Sequence, residues 1–255
     1  MFGIDTMFHL KAFSIQHDQA AQRVGTDALV LGAWPFHYPQ SPLRQVLDVG
    51  TGTGILALLQ AQRHPVALIE AWELEESATR EAQANFQASP FATRLMLYQA
   101  SFLDRARELA SSSTFVPFDL IISNPPFYPE EVLSPDRARR LARHSEVEGL
   151  SPETLLTYAP SLLTPRGALA LITPASSLPS LRQCAVESLL RLAELVYVYS
   201  VPGRLVRVLT LWCRLRVGEN YTPTHTERLT LLGKDGASAP AYRALMQPYL
   251  LPEYL

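Results

Sequence analysis

The sequence has little lysine, little cysteine and no long apolar run, and each shortage narrows the class of protein. Only Lys11 and Lys234 are lysines, so nearly all positive charge is arginine, whose planar guanidinium suits phosphate. Cys184 and Cys213 lie in apolar surroundings without metal-ligand spacing, which predicts buried thiols and a reducing compartment. The N-terminus lacks the charged-then-apolar order of a signal peptide, and no apolar run approaches about 18 residues. We therefore expect a soluble cytoplasmic protein without a membrane segment.

The charge balance and the length further narrow the possible functions and domain organisation. A net charge of −2 gives no overall positive field that would draw the protein onto a polyanion. His9, His17 and His144 have no ligand partners at workable spacing, so we expect no metal site. The 255 residues, 47% of them hydrophobic, suit one globular α/β domain with an extension, and we expect a monomer.

Short apolar runs alternate with helical patterns from about residue 45 onward. The predicted strands are residues 45–50, 66–74, 94–101, 118–123 and 167–173. The predicted helices are residues 55–63, 75–88, 102–110, 152–163 and 178–192. Strands that are separated by helices pair in parallel through right-handed crossovers, so we expect an open sheet covered on both faces.

The end of this series follows a different pattern. Strand-like residues 195–200 and 207–216 are separated by a short segment containing Pro202-Gly203, which cannot house a helix, so they predict an antiparallel hairpin. Five parallel strands followed by such a hairpin resemble the seven-stranded, mostly parallel, Rossmann-like sheet of class I methyltransferases. A nicotinamide-binding sheet would usually end with another parallel strand. We predict a catalytic domain at 45–255, a loop-rich tail after Glu219, and an N-terminal extension, 1–44, that packs on the cofactor and substrate site.

The first predicted strand runs into a glycine-rich loop, Asp48-Val49-Gly50-Thr51-Gly52-Thr53-Gly54. A ligand can approach such a backbone closely because no Cβ intrudes. The dinucleotide fingerprint would require Gly or Ala at position 55, which is Ile55, and this favours a ligand without phosphate, S-adenosylmethionine. We expect Gly50, Thr51, Gly52 and Gly54 to line its site, and Asp48 to accept a hydrogen bond from its amino group or from bound water.

The next two strand ends supply further cofactor candidates. Glu73 lies at the end of the second predicted strand, next to its last residue, where a carboxylate can accept from both ribose hydroxyls. The alternative is a solvated residue beside Glu75 and Glu76. Ser101 ends the third strand, at the position where a carboxyl commonly caps the adenine amine in this fold, and Phe102 is placed to cover the adenine face.

The fourth predicted strand ends in Asn124-Pro125-Pro126-Phe127, which we interpret as the reacting centre. An exocyclic amine on a ring is a poor nucleophile because its lone pair is delocalised. The Asn124 side-chain oxygen and the Pro125 carbonyl can accept its two hydrogens and aim the lone pair at the methyl group. The two prolines stiffen the turn, and Phe127 offers a face on which a flipped base can stack. The alternative is a rigid turn after a buried strand.

Further segments carry a narrower resemblance, at residues 13–18, 23–34, 85–90, 123–127, 142–144, 150–156 and 242–245. These segments resemble the bacterial tRNA1(Val) (adenine-37-N6)-methyltransferases over nearly the whole chain. The resemblance implies N6-methylation of an adenine in tRNA, A37 of a valine tRNA, with S-adenosylmethionine as the methyl donor. It also implies that Arg23, where the family typically has lysine, Thr26 and Asp27 belong to the cofactor site. Phe127 replaces the tyrosine that is commoner in the family.

A basic segment follows the reacting centre, with Arg137, Arg139, Arg140, Arg143 and His144. We expect it to contact the phosphates that flank a flipped nucleotide, the alternative being a solvated helix face or salt bridges to Glu146 and Glu148.

Three other functions remain open. The first is guanine-N2 methylation of ribosomal RNA, which Phe127 suits but which usually requires an added recognition domain. The second is glutamine-N5 methylation of a protein, whose family has a different, helical N-terminal domain. The third is a cofactor-binding RNA chaperone without turnover, against which Asn124 and the intact glycine loop argue.

Overall fold

The computed structural model describes residues 7–18, 24–38, 42–126, 150–215 and 223–255. Within these ranges the helices are α1 Thr26–Ala33, α2 Ile55–Arg63, α3 Glu76–Ala88, α4 Phe102–Ser111, α5 Pro152–Leu162, α6 Leu178–Glu187 and α7 Pro240–Met246. The strands are β1 Met7–His9, β2 Ser14–Gln16, β3 Gln45–Val49, β4 Leu68–Glu73, β5 Leu95–Gln99, β6 Phe118–Ser123, β7 Leu163–Pro174, β8 Leu190–Val201, β9 Arg204–Arg214 and β10 His225–Thr230. None of the helices in the described part of the chain is long and apolar enough to cross a lipid bilayer.

The main sheet has eight strands in the order β10-β8-β9-β7-β6-β3-β4-β5. Strands β3 to β7 pair in parallel, and β9 is antiparallel to both β7 and β8. The predicted fold class, a mostly parallel α/β sheet that ends in an antiparallel hairpin, is confirmed. The eighth strand, β10, pairs in parallel with β8 and was not expected.

Three details correct the sequence analysis. The tail is not merely loop-rich, because it contains β10 and α7. The helix predicted at residues 178–192 ends at Glu187, and Leu190 already begins β8, because a short apolar run suits a buried strand and a buried helix equally well. Burial is confirmed for Cys213 but is wrong for Cys184, which is only half-buried and whose Sγ contacts the Glu153 carbonyl oxygen at 3.5 Å.

Two hydrophobic clusters cover the two faces of the sheet. Side chains alternate along a strand, so on β3 Val46 belongs to one cluster while Leu47 and Val49 belong to the other. The first cluster includes α1, α2 and the β1–β2 region, and the second includes α5, α6 and the aromatic residue Trp212. Burial on both faces is what a largely parallel sheet requires.

The described N-terminal residues pack against the rest of the protein. β1 and β2 form an antiparallel pair, and Leu10 bridges to Leu250 near the C-terminus. Ile15 is fully buried in the same cluster as β3 and α2. The N-terminal segment thus shares a hydrophobic core with the remainder of the chain, and its division from the catalytic domain at residue 44 stays a prediction.

Candidate active site

The glycine loop lies between the carboxyl end of β3 and the start of α2. Gly50, Gly52 and Gly54 have φ angles of 68°, 54° and 87°, in the left-handed region that favours glycine. A Cβ on Gly54 would lie 2.5 Å from a ring carbon of Phe86, so this glycine is required for packing. A Cβ on Gly52 would meet none of the described residues within 4 Å. Within the described part of the chain, the backbone at Gly52 is therefore open to contact by a ligand.

Asp48, at the start of this loop, is hydrogen-bonded to residues within and after it. Its carboxylate is fully buried, and Oδ2 accepts hydrogen bonds from the Thr51 hydroxyl and, at 3.0 Å, from the Ala57 N–H. Burial raises the pKa of Asp48 from 3.8 to about 7, although the bonds from Thr51 and Ala57 lower it and nearby Glu73 raises it slightly. Oδ1 is buried and has no partner among the described residues. Only Oδ1 therefore remains for the predicted bond to a cofactor amino group or water.

Glu73 connects the end of β4 to the same loop. Its Oε2 accepts from the Gly52 N–H at 2.8 Å, and its Oε1 accepts from the N–H groups of Leu74 and Glu75 at 2.9 and 3.0 Å. The alternative of a solvated side chain does not fit these three bonds. A carboxylate has about four lone-pair directions, so Glu73 keeps capacity for a further donor beside the exposed backbone of Gly52.

Ser101 and Phe102 stand at the start of α4, beyond the end of β5. Ser101 is half-buried, and its side chain makes no capping bond to the helix. Phe102 is 4% exposed, and its ring centroid lies 6.1 Å from Trp72 and 6.2 Å from Tyr158. The ring is therefore a core residue, and only its small exposed fraction is open to the adenine contact that we expected.

The Asn124 turn follows β6, the strand next to β3 in the sheet. The Ser123 hydroxyl donates to the Val49 carbonyl at 2.7 Å, which ties this turn to the beginning of the glycine loop. Asn124 Oδ1 is buried and has no hydrogen-bond partner among the described residues. Pro125 is buried and Pro126 is half-buried. A buried acceptor without a partner costs about 1–3 kcal/mol, so a donor that enters the site would be stabilised there.

The other predicted site residues are only partly described. Thr26 is exposed at the start of α1. Asp27 Oδ2 accepts from Arg207 Nε at 2.7 Å, an ion pair that connects α1 to β9. The remaining predicted residues lie outside the described ranges, namely Arg23, Phe127, Arg137, Arg139, Arg140, Arg143 and His144.

Sequence reasoning missed a buried amide, Asn85 on α3, which is 3% exposed. Its Nδ2 donates to the carbonyl of Thr53 in the glycine loop at 2.9 Å and to that of Gln16 at 3.0 Å. Its Oδ1 accepts from the Gln16 N–H at 2.8 Å. Asn85 thus connects β2, α3 and the glycine loop. The signal for it was present, because Asn85 opens one of the segments on which the resemblance rests.

Comparisons with known proteins agree with this geometry. A model of the Methyltransferase small domain family matches residues 25–180. The chain is 38% identical over 245 residues to the tRNA1(Val) (adenine(37)-N6)-methyltransferase of Porphyromonas gingivalis, covering 95% of this chain and 94% of that one. It is 33% identical over 251 residues to the protein of the same name from Aeromonas hydrophila, covering 98% and 99%. A crystal structure from Agrobacterium tumefaciens, described as a predicted O-methyltransferase, is similar in fold alone, with 17% identity, coverage of 88% and 96% and a TM-score of 0.62.

Proposed function

Since the chain belongs to the tRNA1(Val) (adenine(37)-N6)-methyltransferase family, we propose that it methylates N6 of adenine 37 in a valine tRNA. The observation that carries the proposal is the buried, unpartnered Oδ1 of Asn124, held beside the glycine loop by the bond from Ser123 to Val49. An exocyclic amine supplies the N–H donor that this oxygen lacks.

The residues of the glycine loop fit S-adenosylmethionine as the methyl donor. When bound, the cofactor supplies an electrophilic methyl group on a positively charged sulfonium. Among the described residues, none covers the backbone of Gly52 within 4 Å, and the Glu73 carboxylate beside it provides an acidic group that suits a cationic ligand. We assign Glu73 to the ribose hydroxyls, Asp48 to the amino end, and Gly50, Thr51 and Gly54 to the shape of the loop. Ser101 and Phe102 are assigned to the adenine side.

The chemistry consists mainly of alignment. Asn124 Oδ1 accepts one hydrogen of the adenine amine and the Pro125 carbonyl accepts the other, which favours a pyramidal nitrogen with its lone pair directed at the methyl group. No strong base is required, because the nitrogen becomes acidic only after it has gained the methyl group. Pro125 and Pro126 fix φ in the turn, so its carbonyls keep their direction. We assign the stacking face for the flipped base to Phe127.

The remaining assignments concern the substrate side. We propose that Arg137, Arg139, Arg140, Arg143 and His144 contact tRNA phosphates, and that Arg23, Thr26 and Asp27 border the cofactor site. A tRNA substrate supports action in the cytoplasm. We further propose a monomer, which light scattering on the purified protein would test.

The decisive experiment is methyl transfer with a defined tRNA. Purified protein, S-adenosylmethionine labelled in its methyl group and a valine tRNA transcript should yield N6-methyladenosine, identified by mass spectrometry of the nucleosides. A transcript with guanine at position 37 is the matched control and should accept no methyl group. Label on guanine N2 of ribosomal RNA, or on a protein glutamine, would replace the proposal with one of the competing functions. Binding of tRNA and cofactor without any transfer would favour the chaperone.

A further inference from the structure

Two histidines and two glutamates cluster toward the amino ends of the strands, at the opposite end of the sheet from the glycine loop. One potential ligand atom from each of His37, His225 and Glu227 lies within 4.8 Å of the others. The rings of His37 and His225 have centroids 4.1 Å apart, and His225 Nε2 is hydrogen-bonded to a carboxylate oxygen of Glu227. His225 begins β10, so the cluster lies toward the amino ends of the parallel strands, whereas the glycine loop lies at the carboxyl ends.

A buried carboxylate lies next to this cluster and is hydrogen-bonded to it. Glu194 on β8 is 1% exposed and is the register partner of His225 on β10. Its Oε1 accepts from the backbone N–H groups of His37 and Tyr38 at 2.7 and 2.9 Å, and its Oε2 lies 3.1 Å from His37 Nδ1. A carboxylate at that distance favours the tautomer in which Nδ1 carries the hydrogen, which leaves Nε2 with a lone pair. Metal-binding histidines are commonly oriented by a carboxylate in this way.

We propose that His37, His225 and Glu227 bind a divalent transition-metal ion, Zn²⁺, and that Glu194 orients His37. Imidazole nitrogens and a carboxylate oxygen are Zn²⁺ ligands, and three protein ligands leave a fourth position for water. The side chains of His37, His225 and Glu227 are 57%, 38% and 38% exposed, so an ion can reach them. His9 and His17 are not members of this cluster, and His144 lies outside the described residues.

The position of the cluster would let the ion link two distant parts of the chain. His37 belongs to the segment after α1 that leads toward β3, Glu194 to β8 and His225 to β10. A bound ion would therefore fasten the N-terminal segment to the C-terminal strand that closes the sheet. Because the cluster and the glycine loop lie toward opposite ends of the strands, the ion should not enter the methyl-transfer chemistry.

The first test measures metal binding by the full chain. Protein treated with a chelator and then titrated with Zn²⁺ against a chromogenic competitor should bind about one equivalent, and Co²⁺ should give the visible absorption of a low-symmetry site. His225→Gln and Glu227→Gln should each lower the affinity about 100-fold or more, and Glu194→Gln about 10- to 100-fold. His9→Gln and Glu76→Gln are the matched controls, because both residues are exposed and lie elsewhere, and they should bind like the parent.

The second test measures stability. Zn²⁺ at about 100 times its Kd should raise the Tm by about 5–10 °C. The shift should disappear in His225→Gln, whose melting without metal should match that of the parent and so report an intact fold. The rate of methyl transfer should change less than twofold when the metal is removed. The metal-binding result therefore does not depend on the proposed function. Unchanged stoichiometry and an unchanged Tm shift in the double variant His37→Gln/His225→Gln would overturn the site and leave two hydrogen-bonded pairs.

Discussion

The glycine loop and the Asn124 turn lie at the same edge of the sheet but differ in how their polar groups are hydrogen-bonded. In the loop, Glu73 accepts three backbone N–H bonds, Asp48 accepts two bonds and Asn85 donates to the Thr53 carbonyl. In the turn, the buried Oδ1 of Asn124 has no partner in the described part of the chain. Asp48 Oδ1 also lacks a partner among the described residues, but the other polar groups named on the cofactor side bond within the protein, whereas Asn124 keeps its acceptor for the substrate. Substitutions on the two sides should therefore affect different measurements.

The largest effect is expected from Asn124→Ala. The variant should lower the maximal rate of methyl transfer about 100-fold or more and leave cofactor affinity within about twofold, because the lost bond forms with the reacting amine. Single-turnover kinetics and calorimetry would measure the two quantities. Asn85→Ala removes a buried amide on the cofactor side and is the control. It should lower the free energy of unfolding by about 1–3 kcal/mol and weaken cofactor binding, since its bonds hold the loop. The same changes in maximal rate and cofactor affinity in both variants would contradict the distinction between the cofactor side and the reacting side.

Glu73→Ala should weaken cofactor binding by about 1.5–3 kcal/mol, the scale for loss of a charged hydrogen-bond partner. The affinity for S-adenosylmethionine and for its demethylated product should fall together, as measured by calorimetry. Glu75→Ala is a suitable control, because its carboxylate is exposed and bonds only to Ser77 among the described residues. Unchanged affinity in Glu73→Ala would leave this carboxylate with a role in loop structure alone.

Asp48 should make stability depend on pH. Its pKa is raised from 3.8 to about 7, so between these values the folded protein holds a proton that the unfolded chain releases. The contribution of Asp48 to stability therefore falls as the pH rises from about 4 to about 7, by at most about 1.4 kcal/mol per pH unit, and levels off above that. Asp48→Asn should remove this decline, as chemical denaturation of both proteins at several pH values would reveal. Parallel curves for the two proteins would contradict the raised pKa.

The smallest effect concerns the basic segment. Replacing Arg137 and Arg139 with Gln should raise the Michaelis constant for tRNA and leave the rate at saturating tRNA almost unchanged, because phosphate contacts act in both ground and transition states. The slope of log affinity against log salt should become shallower by about 1.4–1.8. Arg80→Gln, which removes an exposed arginine on α3, is the control. An unchanged slope would assign the segment to a solvated surface.

Much of this arrangement could be predicted because it depends on local patterns. Apolar runs indicate the strands, and parallel strands bring the residues at their carboxyl ends, Asp48, Glu73 and Asn124, to the same edge. What could not be predicted depends on contacts between distant segments. The bonds of Asn85 to Gln16 and the approach of His37 to His225 arise only when the chain is folded. The inward turn of Phe102 likewise depends on Trp72 and Tyr158, which are remote in the sequence.

The pairing of β10 with β8 has a consequence for biosynthesis. Without β10, the twelve residues of β8 would present a long, largely apolar row of unpaired backbone groups, a template for pairing with another chain. The opposite border of the sheet is β5, only five residues long, where Arg105 stacks 4.4 Å above the ring of Tyr98. The border at β5 is short, so it offers few unpaired backbone groups. The border at β8 is covered by β10 only after residue 230 has left the ribosome. A nascent chain that stalls before that point would be the form most prone to aggregate.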